Sequence, residues 1–211
     1  MENLNSFVRP ESLQPGDLIY ITAPAKAIDK DCVLYAKHFF EHAGFKVKIS
    51  DHCTGQHHYF SGRMEERLKD LQVGIDDPEI KAIVCARGGY GCVQLTDSLN
   101  WAGMLRNPKW LVGFSDVTVF HQKLQRFGLQ SIHGSMPLNF KKNTSEALET
   151  LVAAFTNKPE ELIVAGHPKN KSGKAEGLLL GGNLSIVYSL VGTDDQPDYN
   201  GSILFIEDLS E

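Results

Sequence analysis

Trp110-Leu111-Val112-Gly113-Phe114-Ser115-Asp116 runs from an apolar stretch straight into a serine and an aspartate. Residues 110–114 read as a buried strand. From Asp116 onward Phe120 and Leu124 recur at helical spacing until Gly128 stops the segment. A strand that feeds a helix directly is the building unit of parallel α/β folds, so this stretch decides the fold class. Working outward, residues 18–22 form a β-rich run after the turn signal Pro15-Gly16-Asp17. Residues 31–43 carry Val33, Leu34, Ala36, Phe39, Phe40 and Ala43 at helical spacing, and Gly44 closes them. Residues 45–49 alternate as a second strand, 64–73 are helical and 81–86 form a third strand. Residues 128–132 read as a strand of the same sheet. Strict alternation of strand and helix implies parallel pairing with right-handed crossovers. The expectation is an α/β chain: a doubly wound, mostly parallel sheet domain over residues 1–156, a polar linker over 157–174, and an incomplete second α/β domain over 175–211.

Composition bounds the function. The 211 residues are 42% hydrophobic and 22% charged, the balance of an ordinary globular protein. The net charge of -5 comes without a basic run, which argues against nucleic acid as a partner. No window approaches the roughly 18 apolar residues of a membrane span, and the N-terminus lacks an apolar signal core, so a cytoplasmic protein is expected. Cys32, Cys53, Cys85 and Cys92 show no CxxC pair and no metal-ligand spacing. They read as reduced, mostly buried thiols, with no metal and no cofactor implied.

The chemistry-bearing residues sit on loops after strands, where open parallel sheets place their sites. Ser115, on a strand-to-helix turn, is a candidate nucleophile, with helix N-terminal N–H groups available to a developing oxyanion. The turn resembles a nucleophile elbow, although Val117 replaces its second glycine. The competing reading is that Ser115 or Asp116 simply caps the helix. In Arg87-Gly88-Gly89-Tyr90-Gly91 the glycines allow close approach of backbone to a ligand, and Arg87 has the planar fork that pairs with a carboxylate. The rival there is a plain tight turn. Gly181-Gly182-Asn183-Leu184 precedes a helical stretch, residues 184–191. Leu204-Phe205-Ile206-Glu207-Asp208 ends an apolar strand in two carboxylates, which either orient a histidine or cap a helix.

These motifs in this order, together with His133-Gly134, resemble those of the LD-carboxypeptidase family of serine peptidases, which includes muramoyltetrapeptide carboxypeptidases and microcin C immunity peptidases. The resemblance covers essentially the whole chain. It implies a metal-independent hydrolase with a Ser-Glu-His triad, in which Ser115 is the nucleophile and Glu207 orients the histidine. It places the oxyanion hole at the N–H groups of Asp116 and of the Gly88-Gly89 turn. Arg87, Tyr90 and Asn183 are assigned to the substrate, with Arg87 as the reader of a free carboxylate. The implied reaction releases D-alanine from murein tetrapeptides; the alternatives are a microcin C-type peptidase that hydrolyses aminoacyl-nucleotide antibiotics and a catalytically silent fragment that binds peptides, and a homodimer is expected. The family's histidine lies downstream of the strand that ends at Glu207, so the resemblance implies a C-terminally truncated chain that is inactive or nearly so. His133 is the candidate substitute base; the other histidines, His121 among them, are expected at the surface or in helix packing. Leu204, Phe205 and Ile206 are expected to lack neighbours unless a partner covers them.

Overall fold

The three central strands of the first sheet divide their side chains between two apolar layers. In a computed structural model describing residues 7–156, 158, 161 and 163–209, Ile19 and Ile21 face one layer and Tyr20 the other. Ala82 and Val84 likewise oppose Ile83 and Cys85, and Trp110 and Val112 oppose Leu111. A sheet whose strands are buried on both faces must be covered by helices on both, which is the doubly wound arrangement.

The elements follow in the order β1 (Leu18–Thr22), α1 (Lys30–His42), β2 (Lys46–Ile49), α2 (Met64–Asp76), β3 (Ile80–Cys85), α3 (Val93–Thr96), α4 (Ala102–Arg106), β4 (Trp110–Gly113), a 3₁₀ turn (Ser115–Val117), α5 (Thr118–Arg126), β5 (Ile132–His133), α6 (Pro137–Phe140), α7 (Ser145–Phe155), β6 (Leu179–Asn183), α8 (Leu184–Ser189) and β7 (Ile203–Glu207). Strands pair in the order β2-β1-β3-β4-β5, all parallel. The chain reverses its direction of winding between β1 and β3, and ligands of such sheets bind at the carboxyl ends there. The loops after β1, β3 and β4 therefore frame the site. The strand expected over residues 128–132 is much shorter: only Ile132 and His133 pair with β4, because Gly128 takes a positive φ of 69° and ends α5.

One layer is built from α1, α6 and α7 and centres on Phe40, whose ring meets Phe39, Phe140 and Phe155 edge-on. The other layer is built from α2 to α5. There buried Arg67 donates to Pro24 O and Gly91 O and through Nη2 to Gln94, so that one guanidinium ties the β1 and β3 loops together.

β6 and β7 form a separate two-stranded parallel sheet, in register from Leu179 against Ile203 to Asn183 against Glu207. It docks on α5. Gln122 donates to Gly181 O at 2.9 Å and accepts from the Tyr199 hydroxyl, Thr118 Oγ1 accepts from Asn183 N–H at 3.0 Å, and Lys123 pairs with Asp195. The glycine pair is required by these approaches. A Cβ at Gly181 would collide with Phe205 O, and one at Gly182 would lie 2.6 Å from Thr118 Cγ2. No described helix is long and apolar enough to cross a membrane.

Candidate active site

The turn after β4 holds its serine in a left-handed conformation. Phe114 is extended, with φ -149° and ψ -175°, and Ser115 then adopts φ 60°. A positive φ in a residue with a Cβ costs on the order of 1–3 kcal/mol and persists only where the surroundings impose it. Here the residue stands in a short connection, in which a three-residue 3₁₀ turn joins β4 to α5. The helix that begins near Asp116 in the sequence reading is thus α-helical only from Thr118. Packing also accounts for the pattern around the serine. A Cβ on Gly113 would lie 2.8 Å from both Val117 γ-carbons, so the positions two before and two after Ser115 face each other. Glycine at one of them admits valine at the other, and a second glycine is not needed.

The glycine loop after β3 closes over this turn. A Cβ on Gly88 would lie 3.3 Å from Phe114 O and 3.4 Å from both Asp116 N and Ser115 Cβ, so its backbone and the Asp116 N–H share the space beside the serine. Among the described residues, none accepts a backbone hydrogen bond from Gly88, Gly89 or Asp116 N–H. The Asp116 side chain fastens the two loops: its buried Oδ2 accepts from Cys92 N–H at 2.9 Å. Burial raises its carboxyl above the usual range.

Beneath the turn lies His121, 2% exposed. Its Nε2 is 2.8 Å from Gly113 O and its Nδ1 2.8 Å from Ser131 Oγ. With Gly113 O as an acceptor the proton belongs on Nε2, and Nδ1 accepts from the Ser131 hydroxyl. Burial pushes this imidazole down to about 4, so at neutral pH it is an uncharged strut under β4.

Arg87 is half-buried, and its Nη1 donates to Ala27 O at 2.8 Å, which commits one arm of the fork to the β1 loop. Gly89 lies under Lys26 and Tyr59, whose ammonium and ring are 4.4 Å apart, and Tyr90 is 53% exposed. Asn183 is nearly buried and caps α8, with Oδ1 accepting from Ile186 N–H at 3.2 Å. Its amide is 3.5 Å from Glu207 O. Asn183 and Glu207 are paired at the carboxyl ends of β6 and β7. Glu207 Oε1 reaches within 3.9 Å of His133 Nε2, at the end of β5 beside Gly113. Asp208 instead caps α8 through Ser185.

Sequence reasoning missed the Arg67 tether, the Asp116 side-chain strut and the His121 prop. A helix-packing role is what His121 has, but its grip on Gly113 O depends on residues eight apart meeting across β4, for which the sequence carries no pattern. Of the cysteines, Cys53, Cys85 and Cys92 are buried and Cys32 is partly so.

A strained serine at a strand-to-helix turn, beside glycine-loop N–H groups that have no acceptor among the described residues, is the kind of arrangement that nucleophile turns of serine hydrolases use. Residues 19–134 match the LD-carboxypeptidase N-terminal domain and residues 176–211 the LD-carboxypeptidase C-terminal domain. The chain belongs to the LD-carboxypeptidase family. A probable murein peptide carboxypeptidase of Bacillus subtilis is 34% identical over 96% of this chain and 66% of its own length. A murein tetrapeptide carboxypeptidase of Pseudomonas aeruginosa is 34% identical over 95% of this chain and 69% of its own. The muramoyltetrapeptide carboxypeptidase structure from Oxalobacter formigenes superposes with a TM-score of 0.82 at 29% identity, covering 92% of this chain and 66% of that one. The chain thus spans about two thirds of the length of these relatives.

Proposed function

We propose that this chain carries the nucleophile half of a serine carboxypeptidase that hydrolyses the amide holding the terminal D-alanine of murein tetrapeptides. The observation that carries the reading is Ser115 at φ 60°, with Gly88 packed against Ser115 Cβ and Asp116 N. Ser115 Oγ attacks the amide carbonyl, and the N–H groups of Asp116 and the Gly88-Gly89 turn receive the oxyanion. A histidine takes the serine proton and returns it to the leaving D-alanine, and Glu207 orients that histidine. The histidine is proposed to come from the remaining third of the family's length. The chain is then organised as a nucleophile domain over residues 1–156, a linker over 157–174 and a glutamate-bearing unit over 175–211, acting as a cytoplasmic homodimer without a metal.

Arg87 and Tyr90 line the glycine loop and serve the peptide's free carboxylate and its neighbouring residue. Asn183 reaches the substrate only if it gives up the α8 cap, so its role is first to hold Glu207's strand in place. A second reading has one specific support. The Microcin C7 self-immunity protein MccF of Escherichia coli is 26% identical over 89% of this chain, and its structure with glutamyl sulfamoyl guanosine shares the fold at a TM-score of 0.83. Hydrolysis of aminoacyl nucleotides is the corresponding activity; the RGGYG loop, without the tryptophan of that branch, favours the murein reading.

The test is D-alanine release from a murein tetrapeptide by the chain extended by the remaining third of the family's length. Ser115→Ala is expected to keep the fold and peptide binding and to lose release by more than about a thousandfold. Release within tenfold of the parent overturns the serine assignment. Peptide binding followed by NMR reports on the substrate class even where turnover is slow.

A further inference from the structure

His133 and Glu207 meet where the two sheets converge. His133 closes β5 opposite Gly113, and Glu207 closes β7. Nε2 of the first is 3.9 Å from Oε1 of the second, about 1 Å beyond a hydrogen bond. Four buried side-chain atoms have no hydrogen-bond partner among the described residues, and two of them are His133 Nδ1 and Glu207 Oε1. A buried polar atom left unsatisfied is strongly disfavoured, so Glu207 Oε1 has reason to close on Nε2, the ring nitrogen that faces it.

The surroundings decide the proton's position. The His133 ring is packed against Phe205, Phe114 and His121, with centroids 5.0, 6.2 and 5.9 Å away, and burial lowers its basicity below the ordinary histidine value. A neutral imidazole carries one N–H. On Nε2 that N–H faces a carboxylate; on Nδ1 it is a buried donor with no acceptor. His121, the titratable neighbour from α5, has both nitrogens engaged by Gly113 O and Ser131, so it does not compete for Glu207.

We infer that His133 is a positioning residue for Glu207: its Nε2–H holds Oε1, so that the other carboxylate oxygen is left to orient the base serving Ser115. The inference rests on the proposed serine-hydrolase reading only for what Glu207 then does. The contact itself is independent of it. No proton is transferred, and His133 stays neutral throughout. A triad base likewise turns an N–H to its carboxylate; what sets His133 apart is that its other nitrogen, Nδ1, has no hydrogen-bond partner among the described residues, Ser115 Oγ included.

The experiment is a long-range ¹H–¹⁵N spectrum of the histidine-labelled chain at neutral pH, with His121 as the internal control. His133 is expected as the Nε2–H tautomer in the parent and in Glu207→Gln, whose side-chain oxygen still accepts. It is expected to lose that preference in Glu207→Leu, while His121 is unchanged. A His133 imidazolium, an Nδ1–H tautomer, or a signal indifferent to Glu207→Leu overturns the inference, and the parent spectrum alone decides the first two. In the D-alanine assay His133→Gln is expected to retain activity within a few fold. His133→Phe is expected to lower kcat by about 10- to 100-fold with little change in KM, the usual size of a lost orienting contact. Equal, near-complete loss in both variants makes His133 the base and overturns the positioning role. The activity variants are read in the chain extended by the remaining third of the family's length; absence of D-alanine release there counts against the proposed activity and leaves the spectra to decide the contact.

Discussion

The two sheets of this protein are both parallel, yet they are stabilised differently. In the first sheet Ile19, Ile21, Ile83, Val84, Leu111 and Val112 are fully buried. In the second, Ile203, Leu204, Phe205 and Ile206 are 38%, 50%, 40% and 45% exposed. A parallel pair is normally covered on both faces, and two strands by themselves are at best marginal in water. The second sheet is held by its glycine pair against α5 and by the bonds of Gln122, Thr118 and Lys123, rather than by an apolar layer of its own. The lesson is that the Ser115 turn sits on a self-sufficient scaffold, and Glu207 on one that borrows its support.

The largest effect that would break this comparison is in the first core. Phe40→Ala removes a ring that meets three others and is expected to cost about 3–5 kcal/mol, read by denaturant unfolding. A cost below about 1 kcal/mol would mean that the first layer is not what holds the fold. The next effect is acid sensitivity. His121 has a folded pKa of about 4 against an ordinary value of 6.5, so between those two values the unfolded chain binds more protons. Its contribution is complete above pH 6.5 and is lost as pH falls toward 4, by up to about 3 kcal/mol. His133, also lowered by burial, acts in the same direction. His52 acts in the opposite one: its hydrogen bond to Asp70 raises it, and that support fades as pH rises past its folded value. Stability measured from pH 7 to pH 4 should fall, and His121→Gln should flatten the slope.

A smaller effect sharpens the link between strain and function. Ser115→Gly relieves the positive φ and is expected to stabilise the chain by about 1 kcal/mol, raising Tm, while removing the proposed nucleophile. A fall in Tm would show that the serine is not strained by its neighbours. The smallest effect tests the second sheet: Leu204→Ser, at a half-exposed position, is expected to change stability by no more than about 0.5 kcal/mol. A loss comparable to Phe40→Ala would reveal a cover over β7 in solution, as the proposed homodimer would supply.

Much of the scaffold was legible. β1, β2, β3 and β4, and helices α1 and α2, fall where apolar runs and helical spacing put them, to within three residues at their ends. The helical spacing of Leu148, Leu151 and Phe155 in α7, after the Thr144 cap, was present in the sequence and went unread. The four- and five-residue helices α3, α4 and α6 were not legible, because one turn carries too few positions for a period to show. The Ser115 turn and the glycine loop were legible as motifs; their meeting followed from the family resemblance and not from any local pattern.

By itself the sequence determined a parallel α/β chain, a serine at the end of a strand, a glycine loop after its neighbour and a glutamate at the end of a later strand, since each is written in a local run of residues. Only the tertiary structure decided that Gly113 gives its space to Val117, that the Asp116 side chain binds Cys92 N–H, and that His133 points at Glu207. The physical reason is that these contacts join residues brought together by strand order and helix docking. Side-chain volume and hydrogen-bonding capacity act there across space, and nothing in the local period of the chain records them.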